Sequence, residues 1–194
     1  MFGGINGAGK STLVEAARHA IPDAIVLNPD SITATALAED ARLTLAAAEY
    51  RGLRQTLEQI EAAFLANQSI ISETVFANQT YLRLMQRAKG LGYLVRLVFI
   101  GVPTVEDSIR RVALRVSKGG HDVRESDIRR RWPLTHANLV KALDIADIVR
   151  VFINDKHDVN PRLIGSKGQQ PFTLYDPEAL PAVTAALRGQ PIPS

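Results

Sequence analysis

A chain of 194 residues, 46% hydrophobic and 22% charged, has room for one sizeable core and the composition of an ordinary globular protein. It has no cysteine, which excludes disulfides, thiol nucleophiles and thiolate metal ligands, and no run of about 18 apolar residues, which argues against a spanning helix. The net charge is only +3, yet Arg110 to Arg131 hold eight Lys or Arg against three Asp or Glu, with no aromatic residue among them. That pattern points to phosphates of a small ligand, with neither nucleic acid nor membrane expected as a partner.

The chain opens MFGGINGAGKST, and Gly4 to Ser11 match G-x-x-x-x-G-K-[ST] in full. A helix is predicted over Lys10 to Ala20, then a short strand over Ala24 to Asn28 and the turn-like Asn28-Pro29-Asp30. Ser31 to Asn67 carry charges at helical spacing and read as helix, in one or two pieces. Ser69 to Thr74 form the next strand, and Thr80 to Lys89 a helix closed by Gly90. Tyr93 to Gly101 read as a third strand and Val105 to Lys118 as a helix ending at Gly119-Gly120. Helical stretches over Glu125 to Arg131 and Thr135 to Ala146 flank Pro133. Asp147 to Asp155 read as a fourth strand, followed by weaker strands near Leu163 and Phe172 and a helix over Pro177 to Leu187. Strands alternating with helices predict an α/β fold with a parallel sheet, helices on both faces and ligand at the carboxyl ends of the strands. We expect one domain over 1–194, with a lid at about 105–136 and a closing segment at about 147–194.

The loop carries the clearest chemistry. Glycines at 4, 7 and 9 let the backbone turn its N–H groups onto an anion, and the helix that follows adds its positive end. Asn6, Gly7, Ala8, Gly9, Lys10, Ser11 and Thr12 would hold the phosphates of ATP, with Lys10 on the β- and γ-phosphates and the Ser11 hydroxyl on Mg²⁺. Asp30, just past a strand, either accepts the proton of a substrate hydroxyl or caps the helix that follows. Glu73 and Thr74 are either substrate or water-mediated Mg²⁺ contacts, or a solvated strand end. The arginine-rich segment is either a lid over ATP or a solvated basic face. His19, His136 and His157 are isolated and receive no role.

GINGAGKST, LNPDSI, SETVFAN, GYLVRLVFIG, RVALRVSKGGHDVRESDIRRRW with Asn138-Leu139, and ADIVRVFIND stand in one order from Gly3 to about Asp155. Together they resemble the zeta toxin family of phosphate-loop kinases, in its short bacterial form. The resemblance implies phosphorylation of a hydroxyl on UDP-N-acetylglucosamine. It implies Lys10 on the transferring phosphate, Ser11 on Mg²⁺ and Asp30 as base. It also implies Glu73 and Thr74 on the substrate, where Asn28 is placed with them, and Arg115 with one of Arg130 or Arg131 on the transferred group; Arg130 is assigned there and Arg131 to the nucleotide. The chain departs from the family at Arg124, where proline is usual, and at Leu134, where arginine is often found. It has no recognisable antidote-binding segment, although some members pair with an antidote protein.

The expectation is therefore a cytoplasmic phosphate-loop kinase that uses ATP and Mg²⁺ on a small molecule, a nucleotide-activated sugar first. The alternatives are a kinase for a nucleoside or drug, and a nucleotide-binding module that acts through a protein partner. A strand ahead of this loop normally takes about five residues, and only Met1 to Gly3 precede it. We therefore expect a short or truncated first strand and a higher melting temperature for a form extended upstream. Equal melting temperatures for the two forms would reject that expectation.

Overall fold

The structure, a computed structural model, describes every residue except 41, 121, 156–159 and 194, and leaves out the side chain of Asp30. In chain order its elements are β1 (Phe2–Gly3), α1 (Lys10–Ala20), β2 (Ile25–Leu27), α2 (Pro29–Glu39), α3 (Leu45–Leu65), β3 (Ile70–Thr74) and α4 (Thr80–Gly90). They continue with β4 (Arg96–Gly101), α5 (Val105–Ser117), α6 (Glu125–Ile145), β5 (Ile148–Ile153), β6 (Arg162–Lys167), β7 (Thr173–Leu174) and α7 (Pro181–Leu187). The fold is mixed α/β. Its contacts separate into two compact units: Met1 with Ser11–Thr74, and Phe2–Lys10 with Val75–Ser194.

The smaller unit is built on a parallel pair, β2 and β3, in which Ile25 faces Ile70 and Leu27 faces Ser72. The long helical stretch divides into α2 and α3 at a turn where the Asp40 carboxylate accepts from the Arg42 amide at 3.0 Å. Thr44 then caps α3 by accepting from the Ala47 amide. Helix α3 buries mostly small residues, including Ala48, Gly52, Thr56 and Ala63. At Gly52 a methyl group would lie 2.4 Å from the Thr33 hydroxyl and 2.9 Å from the Pro29 carbonyl, so α2 packs directly on its backbone.

The larger unit holds five strands in the order β1-β4-β5-β6-β7. Strands β1, β4 and β5 are parallel, with Phe2 opposite Val98 and Val98 opposite Arg150. Leu97, Phe99 and Ile100 give β4 the near-continuous buried run of a strand covered on both sides, whereas β5 alternates, with Val149, Val151 and Ile153 buried and Arg150 exposed. The expected parallel sheet needs one correction: β6 and β7 join it antiparallel, so the sheet is mixed. The first strand does form, as two residues paired with β4.

Three expected boundaries move. Strand β4 starts at Arg96 rather than Tyr93, because the Val95 amide leaves the ladder to donate to the Asp147 carboxylate at 2.8 Å. The last helix starts at Pro181 rather than Pro177, after a turn in which the Asp176 carboxylate accepts from the Ala179 amide. Pro133 does not divide α6, which runs unbroken over 21 residues. A proline inside a helix costs about 3 kcal/mol. Ile128, Trp132, Thr135, His136 and Leu139 are all buried around it, and burial of one large apolar side chain contributes about 1.5–3 kcal/mol. Packing therefore outweighs the proline, whose own position is exposed.

His136 is buried in that stretch. Its Nδ1 donates to the Trp132 carbonyl at 2.8 Å, and its ring meets Phe99 edge-on at 5.8 Å. Burial lowers its pKa to about 4, against a slight opposing effect of the Trp132 carbonyl. An unfolded chain protonates this imidazole near the usual ~6.5 while the folded protein does not. Stability should then fall as pH drops from ~6.5 to ~4, by up to about 3 kcal/mol. Melting at pH 7.5 and pH 4.5 should show a larger acid loss for the natural protein than for His136→Gln. An equal loss in both would remove His136 as the cause.

Candidate functional site

The phosphate-loop residues from Gly4 to Lys10 lie in the larger unit. Gly4, Gly7 and Gly9 all have positive φ, and Gly4 is the tightest of them. A methyl group there would sit 2.1 Å from the Ile100 carbonyl oxygen, at a φ of +148°. Only glycine lets the chain leave β1 against β4 in this way. Ile5, Ala8 and Lys10 are buried, as is Asn6, whose Oδ1 finds no partner among the described residues.

Four carbonyls of the loop are occupied. Lys10 Nζ donates to Gly4 O at 2.9 Å and Ile5 O at 3.1 Å. Ser108 of α5 donates to Asn6 O at 2.7 Å, and Asn154 Nδ2 to Ala8 O at 3.0 Å. Asn154 follows β5, and its own amide extends the β4–β5 ladder by donating to Gly101 O. Arg111, one turn beyond Ser108, donates to Asn154 O at 2.9 Å, and burial pulls its guanidinium pKa below the usual range. The first residues of α1 leave their N–H groups outside the helix ladder, where an anion can bind them.

Ser11, the last residue of the motif, belongs to the smaller unit. Its hydroxyl donates to Glu73, lying 3.2 Å from each carboxylate oxygen. Asn28 Nδ2 donates to Glu73 Oε2 at 3.3 Å. The pairing of Leu27 with Ser72 explains this meeting, because one residue further along the parallel register brings Asn28 opposite Glu73. Thr74 is buried beside it in sequence and Thr12 is exposed. Asp30 falls in the first turn of α2, and its side chain lies outside the described residues.

The arginine-rich segment is well packed on one side and ion-paired on the other. Arg129 pairs with Glu106 and Glu125, Arg130 with Asp127, and Arg110 with Asp107. The Arg129 contact ties α6 to α5. Arg115 is exposed near the end of α5, where the Gly120 amide donates to its carbonyl. Arg131 is partly buried on α6. His121 and His157 lie outside the described residues; His19 is exposed on α1.

Three residues that belong to the loop's surroundings have no signal in the sequence motif: Ser108, Arg111 and Asn154. The segment after β3 is a fourth case. Phe76 is fully buried at a φ of +66°, which strains a residue with a bulky side chain. Thr135 holds it by donating to Val75 O at 2.9 Å, and Asn138 by donating to Phe76 O at 3.0 Å.

The glycine-built loop and the helix start that follows it define a nucleotide-binding P-loop domain of mixed α/β fold. The chain belongs to the AAA domain family, whose model matches residues 1–131. An uncharacterised protein of Haemophilus influenzae is 29% identical over 129 residues, 66% of this chain and 88% of that one. Among solved structures, the AvrRxo1-ORF1:ORF2 complex with ATP superposes with a TM-score of 0.68 at 18% identity. That match covers 91% of this chain, which spans 60% of the length of the matched one. The PezAT chromosomal toxin–antitoxin system of Streptococcus pneumoniae gives a TM-score of 0.58 at 16% identity, over 82% of this chain and 68% of that one. At these identities the likeness is one of fold. Among the described residues no helix is long and apolar enough to cross a membrane.

The tight exit from β1 predicts a contrast between two glycines. Gly4→Ala forces a methyl group into the Ile100 carbonyl, whereas a methyl group at Gly90 meets nothing within 4 Å. Gly4→Ala should lower the melting temperature by at least about 5 °C, and Gly90→Ala should leave it within about 2 °C. Similar melting curves for the two variants would show that the loop's path is not fixed at Gly4.

Proposed function

We propose that this protein is an ATP- and Mg²⁺-dependent kinase that transfers the γ-phosphoryl group to a hydroxyl of a small molecule, with a UDP-activated sugar such as UDP-N-acetylglucosamine as the acceptor. The observation that carries the reading is the loop itself, a glycine-built turn with four carbonyls tied off and Lys10 at its mouth. The family assignment and the fold shared with an ATP-bound structure support the nucleotide. The acceptor rests on the sequence resemblance to zeta toxins alone.

Mg²⁺ takes oxygen ligands and uses one or two from protein, with phosphates and water completing its shell. The Ser11 hydroxyl and Glu73 carboxylate, 3.2 Å apart, are a donor set of that kind. When bound, the ion would neutralise charge on the β- and γ-phosphates. Lys10 would bind the γ-phosphoryl oxygens, and loop amides from Asn6 to Thr12 the rest of the triphosphate. The acceptor oxygen bonds to the γ-phosphorus as the bond to the β–γ bridging oxygen breaks. ADP leaves, and the hydroxyl proton passes to Asp30. Asn28 and Thr74 would seat the acceptor. Arg115 and Arg130 would stabilise the charge on the transferred group and Arg131 the nucleotide, with the segment at about 105–136 as the lid. The AvrRxo1 structure holds two proteins and PezAT is a toxin–antitoxin system; a protein partner is the second reading, for a module that binds nucleotide without transferring it.

The test is mass spectrometry of UDP-sugars, nucleosides and nucleotides incubated with protein, ATP and Mg²⁺. A gain of one phosphoryl group on UDP-N-acetylglucosamine, absent with Lys10→Ala, is the expected result. Asp30→Asn should keep ATP binding and slow transfer by at least about 100-fold. Unchanged turnover in that variant removes Asp30 from the mechanism. A gain on another compound keeps the kinase and discards the acceptor. No gain anywhere, with ATP bound, favours the binding module.

A further inference from the structure

We propose that Asn154 and Ser108 are positioning residues of the phosphate loop, acting through its carbonyls rather than by touching the nucleotide. The proposal rests on the reading of the loop as a triphosphate site. A loop that binds an anion through its N–H groups must send its carbonyl groups elsewhere, because an oxygen facing a phosphate repels it. In a buried loop those carbonyls need donors of their own. Lys10 donates to the first two, Gly4 O and Ile5 O. Asn6 O and Ala8 O come next along the loop, and each is taken by a side chain distant in sequence.

Ser108 is fully buried and donates to Asn6 O at 2.7 Å. Asn154 donates to Ala8 O at 3.0 Å, and its Nδ2 lies 2.8 Å from where a methyl group on Gly9 would sit. The amide group therefore covers the outer side of the loop at Gly9. Gly7, between the two held carbonyls, has its own barrier. A methyl group there would meet Ser108 O at 3.0 Å and Arg111 Cβ at 3.1 Å. Arg111 then donates to Asn154 O at 2.9 Å, linking helix α5 to the residue after β5. The loop is held on one side by α5 and on the other by the end of β5, through donors aimed at alternate carbonyls.

Asn154 has an unusually clean test, because aspartate has its shape without its donor. Asn154→Asp places a carboxylate oxygen against Ala8 O, where two acceptors repel, and returns a donor only when that carboxyl is protonated. The experiment is equilibrium binding of Mg²⁺–ATP by calorimetry to the whole protein, the Asn154→Asp variant and Ser108→Ala, at pH 8 and pH 5, with melting curves for each. The expected result is a Kd raised at least about tenfold for Asn154→Asp at pH 8, with a smaller ratio to the natural protein at pH 5, because the carbonyl facing the new carboxyl favours its protonated form. Ser108→Ala should weaken binding about fivefold or more at both pH values, since it has nothing to titrate. A purely structural role would lower melting temperature without that recovery at pH 5. Binding by Asn154→Asp within twofold of the natural protein at both pH values overturns the proposal and leaves the nucleotide site intact. Equal ratios at pH 8 and pH 5 overturn it as well. Failure of the natural protein to bind ATP overturns the nucleotide site and the proposal with it.

Discussion

The closest constraint in the molecule is the exit of the chain from β1. Two residues of strand are enough to pair with β4, and the next residue passes so near the Ile100 carbonyl that no side chain fits. A strand this short contributes little pairing energy of its own. Its direction is set instead by burial of Phe2 and Ile5 and by the donors that meet the loop beyond it. The geometry of the phosphate loop is thus imposed from outside, by α5 and the end of β5, and only in part by its own glycines.

The same logic applies after β3. Phe76 holds a backbone conformation that costs on the order of 1–3 kcal/mol. It persists because its ring is buried against Gly3 and two α6 side chains take the neighbouring carbonyls. Helix α6 is continuous through Pro133 for a related reason: Ile128 and Trp132 before it and Thr135, His136, Asn138 and Leu139 after it are all buried. In both places tertiary packing overrides a local preference that the sequence states clearly.

That contrast explains what could be read in advance. The glycine spacing, Lys10 and Ser11 were legible because a phosphate loop is a local device, with its residues adjacent in the chain. The elements alternate as their periodicity says, and the turn-like Asn28-Pro29-Asp30 does follow strand β2. Ser108, Arg111 and Asn154 were not legible as loop partners, because their donors meet carbonyls 102, 43 and 146 positions away in sequence. The antiparallel direction of β6 and β7 was hidden for another reason: alternation along a strand says which face is buried, not which way the neighbour runs. The arginines were visible as charge, but their partners at Glu106, Glu125 and Asp127 depend on how α5 and α6 pack.

Lys10 shows how such a loop can be both ordered and ready. Its ammonium is buried and spends donors on two neutral carbonyls. The bond of an ammonium to a carbonyl has charge on the donor alone, whereas its bond to a phosphate oxygen joins opposite charges, so an arriving triphosphate offers Lys10 a better partner than the loop does. The exchange would release Gly4 O and Ile5 O, and Ile5 O keeps the Ala8 amide at 3.3 Å. Asn6 O and Ala8 O are untouched, because Ser108 and Asn154 hold them independently of the lysine. The loop can therefore give up its lysine to a ligand and keep its shape, which a loop ordered by Lys10 alone could not do.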